Sequence, residues 1–473
     1  MNDLDAINAD LAAAAGQPEP EPDLADLAGH ADEPARPSRD AEAPTMFPPS
    51  SIYYDGPGGF YLIDTGRAFF RWSRKTPVVN GVARWRMRRG DHADLATKAA
   101  KQDIANRELD GAVQWSGSIA GHRRGIQRDH DGLPILITSQ ANLPEPEVGP
   151  MPVIAEIIRQ AFPEPDPRAV FVGWLAARFR AVREGIHTPA PMLVLAGEVN
   201  TGKSLLAWIV GQTLGGRLAS PHAAWSGGML WNDDLVGCEL LLIDDAVAST
   251  DIRSRRNFGA AFKEAVYGPI VQLRKRHASS ITVRPVWSVM VCCNSTPESL
   301  QIIPPLDADL SDKVALLRAA PVKPPVDTST PDGRAELQRL IRAELPALAA
   351  RLLAYTVPDH LRDSRSGILA WRDPDLAEAV EATSPARRLE ELLAAGLANR
   401  GIWYDLPATL TAAEIEARLT EHGSPVREQA RGLFHWHGAC GAALARLART
   451  GSRHVESADP DGHTKRPRYF IKA

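Results

Sequence analysis

The amino-acid sequence predicts an α/β fold, because strand-like and helix-like patterns alternate through the middle of the chain. Three apolar runs, at residues 191–196, 239–243 and 286–293, have the length and composition of buried strands. A helix-like pattern precedes the first run at about 168–185, and a further apolar run that can open a helix follows it at 205–210. We therefore predict an α/β core, with a small basic α/β region before it and a winged-helix-like module after it.

The first apolar run leads into a glycine-rich segment with the pattern of a phosphate-binding loop. Its eight residues are Gly197, Glu198, Val199, Asn200, Thr201, Gly202, Lys203 and Ser204. Strand, glycine-rich loop and helix in succession are the context in which this pattern binds a nucleoside triphosphate, because the glycines let backbone N–H groups surround an anion at a helix N-terminus. We expect Lys203 to reach the β- and γ-phosphates and the Ser204 hydroxyl to ligate Mg²⁺.

The second apolar run ends in two carboxylates, Asp244 and Asp245. Phosphoryl transfer requires Mg²⁺ held by an acid at a strand end, and a second carboxylate near the attacking water. We assign Asp244 to Mg²⁺ through a water and Asp245 to the nucleophilic water, and the order of these two roles stays open. The alternative is an ordinary strand followed by an acidic turn.

The third apolar run ends in Asn294, where an amide can orient the lytic water and sense the γ-phosphate. An isolated Asn at a strand end is more often a turn former. Between the second and third runs, two strand-like segments flank Lys275, Arg276 and His277, which predicts a hairpin with a cationic tip. The alternative for these three residues is a solvated turn.

Composition limits the class of protein. The chain has 473 residues and a net charge of −4, so it has no global basic signature of nucleic-acid binding. Residues 1–50 are rich in Ala, Pro, Asp and Glu, which predicts a disordered acidic tail. The 4 cysteines have no metal-ligand spacing, which indicates a reduced intracellular setting. No apolar run has the length of a membrane span, so we expect a soluble, cytoplasmic protein.

Residues 51–145 form the predicted small basic domain. Aromatic strand-like residues flank a Gly/Pro turn within 53–63, which predicts a hairpin. Residues 84–89 interleave arginines with Trp85. This pattern fits either a nucleic-acid contact, in which Trp85 stacks on a base, or a strand edge protected by charge.

Proline-rich segments separate this region from the α/β core, which we place at 150–325. A helix is predicted around 151–161, directly after the first of these segments. A helical segment is predicted at 326–400, with apolar spacing across 337–355.

The C-terminal module is predicted at 405–473. Residues 411–414 have the sequence of a capping box, which starts the first of three helical patterns, and a turn with strand-like flanks follows the third. Three helices and a two-stranded wing are the order of a winged-helix module, although a small helical cap with a terminal hairpin fits equally. The candidate wing carries Lys465, Arg466 and Arg468, which suit contacts with DNA phosphates.

Together these motifs resemble those of the superfamily 3 helicases of viruses, phages and plasmids, a branch of the AAA+ ATPases. The resemblance spans about 190–320 and is most marked for the helicase part of phage primase-helicase proteins. In that family the phosphate loop often carries Asn three residues before Lys, as Asn200 does here. The metal strand ends in paired acids, like Asp244 and Asp245, and a third strand ends in Asn, like Asn294. A basic hairpin between these strands grips single-stranded DNA in the pore of the ring.

The resemblance implies an AAA+-like P-loop ATPase core and an ATP- and Mg²⁺-dependent DNA helicase or translocase that replicates a phage, plasmid or other mobile element. It also implies a homo-oligomeric ring, a hexamer, that acts on single-stranded and duplex DNA with replication proteins in a bacterial cytoplasm. Family members usually place an arginine finger after the Asn motif, where it acts on the neighbouring subunit's ATP. Arg318 is one candidate here, and Lys313 is the other.

Residues 51–140 offer no convincing cluster of metal-binding carboxylates, so we expect a helicase without a working primase. Two other classes of function stay open. One is a P-loop switch or defence ATPase whose nucleotide state controls a partner. The other is a DNA-binding initiator or regulator with an inert ATPase core, against which the intact Lys203 and the paired aspartates argue.

Overall fold

The computed structural model describes residues 46–66, 70–227, 232–244, 252–268, 270–274, 280–303, 310, 312–382, 384–399, 401–434, 438–460 and 466–472. Residues 1–45 of the predicted tail lie outside the described residues, as do Asp245, Lys275, Arg276, His277 and Lys465. The described chain is mixed α/β, with a parallel sheet and many helices. Among the described helices, none combines the length and apolarity that crossing a membrane requires.

The N-terminal region begins with a four-stranded sheet that two helices cover on one face. Its elements are β1 (Ile52–Asp55), β2 (Phe60–Asp64), β3 (Phe70–Ser73), α1 (Lys75–Arg88), α2 (Ala93–Asp110) and β4 (Ala112–Val113). The strand order is β3-β2-β1-β4, and the antiparallel pairing of β1 with β2 confirms the predicted hairpin. The buried core between sheet and helices includes Phe47, Ile52, Tyr61, Ile63, Val82 and Ile104. Because Phe47 belongs to this core, ordered structure begins before residue 51.

Residues 84–89 form the last turns and the C-cap of helix α1, so the strand edge, one of the two alternatives for this segment, is wrong. Apolar residues recur at helical spacing just before them and pack into the core, which continues the helix through the arginines. Arg86 pairs with Asp103 of α2 at 2.7 Å, and Arg89 lies 5.0 Å from the centre of the Trp85 ring. Part of this basic cluster therefore stabilises the helix pair.

A second small sheet joins the N-terminal region to the rest of the chain. It consists of β5 (Trp115–Gly117), β6 (Gly125–Arg128) and β7 (Pro134–Ile137), in the order β5-β7-β6. Trp115, Ile135 and Ile137 belong to the same buried cluster as apolar residues of the central sheet. Residues 51–145, predicted as one domain, thus contribute to more than one core.

The central sheet carries the predicted strand runs. The elements of this region are α3 (Pro152–Ala161), α4 (Pro165–Glu184), β8 (Met192–Gly197), α5 (Lys203–Thr213), β9 (Leu218–Ala219), α6 (His222–Trp225), α7 (Asp233–Val236), β10 (Leu240–Asp244), α8 (Ile252–Tyr267), β11 (Val271–Leu273), β12 (Ile281–Val283), β13 (Ser288–Asn294), α9 (Pro297–Leu300) and β14 (Val314–Arg318). The sheet order is β14-β8-β13-β10-β9, and every neighbouring pair is parallel. Successive residues of β8 enter two different buried clusters, Leu193 in one and Val194 in the other. Burial on both faces explains why these strands are continuous apolar runs.

Strands β11 and β12 pair antiparallel, with Leu273 opposite Ile281, which confirms the two strands of the predicted basic hairpin. The end of β11 nearest the hairpin tip is held by Asn232. Its side chain accepts a hydrogen bond from the Arg274 backbone N–H at 2.7 Å and donates one to the Gln272 carbonyl at 3.0 Å.

The segment predicted to be helical at 326–400 divides among three buried clusters. Its helices are α10 (Pro331–Ala354), α11 (Pro374–Ala382) and α12 (Pro385–Gly396). Apolar residues of α10 pack with α3 and α4 on one face of the central sheet, and Leu376 of α11 packs on the other face. Leu389 and Leu393 of α12 instead belong to the core of the C-terminal module. That module therefore starts with α12 and not at 405.

The rest of the C-terminal module has three helices and a sheet. Its elements are β15 (Ala408–Thr411), α13 (Ala412–Thr420), α14 (Arg427–Leu433), α15 (Ala439–Thr450), β16 (Val455–Ala458) and β17 (Arg468–Ile471). The predicted capping box is confirmed, since the side chains of Thr411 and Glu414 each bond the other's backbone N–H. The expected two-stranded wing has a third strand, because β15 pairs with β17 in the order β15-β17-β16.

Candidate nucleotide-binding site

The carboxyl ends of β8, β10 and β13 meet at one edge of the central sheet. In the parallel register, Asn294 at the end of β13 lies opposite Gly197 at the end of β8. Asp244 at the end of β10 lies opposite Cys292 of β13. Three segments that are far apart in the sequence are thereby brought together at the kind of edge where α/β sheets bind ligands.

The glycine-rich loop between β8 and α5 has a backbone that few other residues could adopt. A side chain at Gly197 would place its Cβ 2.6 Å from the carbonyl oxygen of Ala319, which is closer than atoms can approach. Asn200 and Gly202 have positive φ angles of 63° and 82°. Thr201 donates a hydrogen bond from its hydroxyl to the Glu198 carbonyl at 3.0 Å. These features turn the chain sharply so that α5 begins at Lys203, with its N-terminus beside the loop.

The Lys203 ammonium lies inside this loop, and the residue is only 3% exposed. Its Nζ atom donates to the Glu198 carbonyl at 2.7 Å and to the Asn294 Oδ1 at 3.3 Å. Longer contacts of 3.4 Å reach the Gly197 carbonyl and the Thr201 hydroxyl. A buried ammonium needs such partners, because removal from water is costly. All four of these partners are neutral, so these contacts leave its positive charge uncompensated.

Ser204 and Asp244 lie side by side across the loop and the neighbouring strand. The Ser204 hydroxyl donates to Asp244 Oδ2 at 3.0 Å. A hydroxyl and a carboxylate fit Mg²⁺, which proteins usually hold through one or two side chains together with waters and substrate phosphates. Within the described residues, no group of three or more His, Cys, Asp or Glu side chains is arranged to hold a metal ion.

Both candidate arginine-finger residues have partners within their own chain. At the end of β14, Arg318 donates to Asp373 at 2.9 and 3.1 Å and to Asp375 at 3.3 Å. The hydrogen bond that Arg318 donates to the Asp373 carboxylate raises the pKa of Arg318. Lys313 pairs with Asp312 at 2.7 Å. Asp373 and Asp375 could not be predicted as partners, since they follow the finger candidates by more than fifty residues in a segment predicted only as helical.

Of the predicted DNA-binding residues, the structure describes Arg466 and Arg468, and both belong to the C-terminal module. Arg468 is on β17 and donates to the Thr409 carbonyl at 2.8 Å, which ties its side chain to the small sheet. Arg466 precedes β17 and is exposed. The described part of the basic hairpin supplies Arg274, whose side chain contacts Gln272 at 3.1 Å. Sequence reasoning did not identify Asn232, which anchors the hairpin, because an isolated Asn gives no such signal.

Comparisons with known proteins add little to this geometry. No known family matches the sequence, and no curated protein is similar to it. Solved structures of the C-terminal region of NrS-1 are similar in fold. One apo structure has a TM-score of 0.49 and 11% identity, and an A-form apo structure has a TM-score of 0.48 and 12% identity. Each alignment covers 89% of this chain and 96% of that chain, and likeness at this level carries no argument about function.

Proposed function

We propose that this chain is an ATP-dependent DNA helicase or translocase of the superfamily 3 type, within the AAA+ ATPases, and that it replicates a phage, plasmid or other mobile element. The observation that carries the proposal is the meeting of Lys203, Ser204, Asp244 and Asn294 at one sheet edge. A positive charge, a metal-binding pair and an amide are the groups that hydrolysis of a nucleoside triphosphate requires together.

Each of these residues has a role in the proposed reaction. The loop N–H groups and Lys203 bind the β- and γ-phosphates, and Ser204 and Asp244 would hold Mg²⁺. When bound, that ion supplies positive charge that polarises the phosphoryl oxygens. Asp245 activates the attacking water, and Asn294 orients it. Lys203 Nζ donates to Asn294 Oδ1 at 3.3 Å. A γ-phosphate that attracts the Lys203 ammonium would therefore weaken its hydrogen bond to the Asn294 side chain.

Strand β13 offers a direct route from hydrolysis to DNA. Its carboxyl end carries Asn294, and its other end follows β12 of the basic hairpin after a four-residue connection, residues 284–287. A shift of Asn294 on loss of the γ-phosphate would thus be passed to the hairpin through one rigid strand. In a hexameric ring, with Arg318 or Lys313 reaching the neighbouring subunit's ATP, such shifts would move Lys275, Arg276 and His277 along a DNA strand.

The test is hydrolysis of ATP with and without single-stranded DNA. We expect stimulation of the wild type, and we expect replacement of Lys275, Arg276 and His277 together by Ala to abolish stimulation and unwinding while basal hydrolysis persists. Normal unwinding by the triple variant would show that these residues form a solvated turn. Hydrolysis that DNA never stimulates would favour a P-loop switch that controls a partner.

A further inference from the structure

The four-stranded N-terminal sheet has an aromatic face that the rest of the chain covers only in part. Residues alternate between the faces of a strand, so Tyr61 and Ile63 of β2 lie under the helices while Phe60 and Leu62 lie on the other face. On this second face, Leu62 is buried beside Leu136 of β7. Farther toward the sheet edge, Trp72 of β3 is 63% exposed.

Trp72 does not stand alone on this face. Its ring stacks on that of Phe60 at 4.9 Å between ring centres and 14° between planes. Phe70, two residues before Trp72 on the same strand, makes an edge contact with Tyr53 at 5.7 Å. The Phe60 ring lies so close to Gly58 that a Cβ there would be 2.2 Å from it. A stacked aromatic pair is thus held in place and left open to solvent.

Strand β6 of the second sheet faces this aromatic surface. Arg124, just before β6, lies 4.3 Å from the centre of the Phe70 ring and pairs with Asp64 at 2.6 Å. The register with β7 places Ile126 on the face of Leu136, and alternation along β6 places Arg128 on that face too. Ile126 also pairs with Leu136, which packs against the aromatic face, yet Ile126 is 56% exposed. We call the surface that carries Phe60, Phe70 and Trp72 of the first sheet, together with Ile126 and Arg128 of the second, the aromatic cleft.

Two exposed arginines, Arg74 and Arg128, contribute positive charge to the aromatic cleft. Arg74 follows β3 with an extended backbone, so it continues the alternation and shares the face of Trp72. Arg74 and Arg128 are exposed, and neither pairs with a carboxylate in the described parts of the chain. The acidic side chain at the cleft, Asp64, is neutralised by Arg124. A partner with a negative backbone and flat apolar rings therefore complements the cleft in both charge and shape.

We propose that the aromatic cleft binds single-stranded DNA, with a base stacked on Trp72 and the neighbouring phosphates held by Arg74 and Arg128. Aromatic side chains stack on any base, so the site would be tolerant of sequence, as a strand-tracking protein requires. In duplex DNA the faces of the bases are hidden, which favours a single strand as the occupant. This site uses residues other than those of the basic hairpin, although the turn after Arg128 contacts that hairpin through a hydrogen bond from the His130 N–H to the Thr282 carbonyl at 2.9 Å, and it requires no hydrolysis of ATP.

The experiment is a titration of labelled oligothymidine without nucleotide, in the variant that has Ala at Lys275, Arg276 and His277. In this background, we expect Trp72→Ala to weaken binding about tenfold and Trp72→Tyr to restore most of it. The control is Leu109→Ala, which removes an 80% exposed apolar side chain from α2 and should bind as its parent does.

An abasic strand of the same length separates stacking from charge. Trp72→Ala should bind it as tightly as the parent, whereas Arg74→Ala and Arg128→Ala should weaken binding to both strands and reduce its salt dependence. Equal affinity of Trp72→Ala and its parent for oligothymidine would overturn the proposal. So would a loss of affinity in Trp72→Ala that is as large for the abasic strand as for oligothymidine. Trp72-dependent self-association without DNA binding would assign the cleft to a second copy of the chain. These titrations contain no ATP, so their outcome is independent of whether DNA stimulates hydrolysis.

Discussion

The nucleotide-binding edge and the C-terminal module hold their polar side chains in different ways. At the sheet edge, Lys203 and Ser204 are fixed by strand register and by hydrogen bonds to neighbouring strands. In the module, Arg468 is tied to a backbone carbonyl, and Arg446 reaches out to Glu381 of α11 at 2.7 Å. Parallel strands force their carboxyl ends together, so a motif at a strand end predicts a position in space. A charged residue on a surface helix or hairpin does not predict a position in space. A charge that pairs within the chain and a charge that binds a partner look the same in the sequence.

The substitution with the largest expected effect on ATP hydrolysis is at the nucleotide-binding edge of the sheet. Lys203→Ala removes the one ammonium that the loop encloses, so we expect ATP hydrolysis to fall about a hundredfold or more while the fold is kept. Steady-state hydrolysis and circular dichroism provide the measurement. Lys98→Ala, at an exposed position on α2, is the control and should hydrolyse ATP normally. Turnover by folded Lys203→Ala at the wild-type rate would contradict the assignment of the site.

The free energy of unfolding can be compared for variants that break a buried ion pair beside the central sheet and an exposed ion pair in the C-terminal module. Glu239 is fully buried, pairs with Arg217 and accepts the Gly121 N–H at 2.9 Å. Glu239→Ala leaves the Arg217 charge without its partner, so we expect unfolding free energy to fall by about 3–5 kcal/mol. Glu456→Ala, which breaks an exposed pair with Lys472 in the module, should cost less than about 1 kcal/mol. Urea denaturation measures both, and equal losses would mean that the pair at Glu239 is no more buried in solution than the one at Glu456.

Two truncations test where the module begins. A chain that ends at residue 383 loses α12 together with the rest of the module, and we expect it to stay soluble and to keep basal hydrolysis. A chain that ends at residue 404 keeps α12 but exposes Leu389 and Leu393, so it should melt at a lower temperature and aggregate. Both should lose the salt-dependent affinity for duplex DNA that we assign to the module. If the longer fragment is the better behaved, α12 belongs with the central core.

The smallest effect concerns the capping box of α13. The Thr411 hydroxyl accepts the Glu414 N–H at 3.3 Å, and the Glu414 carboxylate accepts the Thr411 N–H at 2.7 Å. We expect Thr411→Ala to lower the stability of the module by about 1 kcal/mol, and Thr411→Ser to cost much less. Thermal unfolding of the module measures the difference, while ATP hydrolysis should not change. Equal stability of the Ala and Ser variants would indicate that the helix start is fixed by packing instead.

Sequence reasoning located the central strands, the glycine-rich loop and the hairpin strands, because buried parallel strands and glycine-dependent turns leave strong local patterns. It did not place residues 84–89 on a helix, since a short run of arginines has no period of its own and the apolar residues that set the helix lie before it. Strand β15 was missed because its pairing with β17 joins segments far apart in the chain. The partners of Arg318, Asp373 and Asp375, were missed for the same reason.

The hydrogen bonds between the second small sheet and the central sheet have a consequence for folding during synthesis on the ribosome. Ala120 accepts a hydrogen bond from the Val286 N–H at 2.8 Å and donates one to the Val236 carbonyl at 2.8 Å. During synthesis, Trp115 and Ile135 leave the ribosome long before these partners exist. At synthesis rates of about 5–20 residues per second, Val286 follows roughly ten to thirty seconds after Ala120. For that interval Trp115 and Ile135 lack most of the core that they enter in the folded chain, so we expect this part of the nascent chain to be a client for chaperones that bind exposed apolar segments.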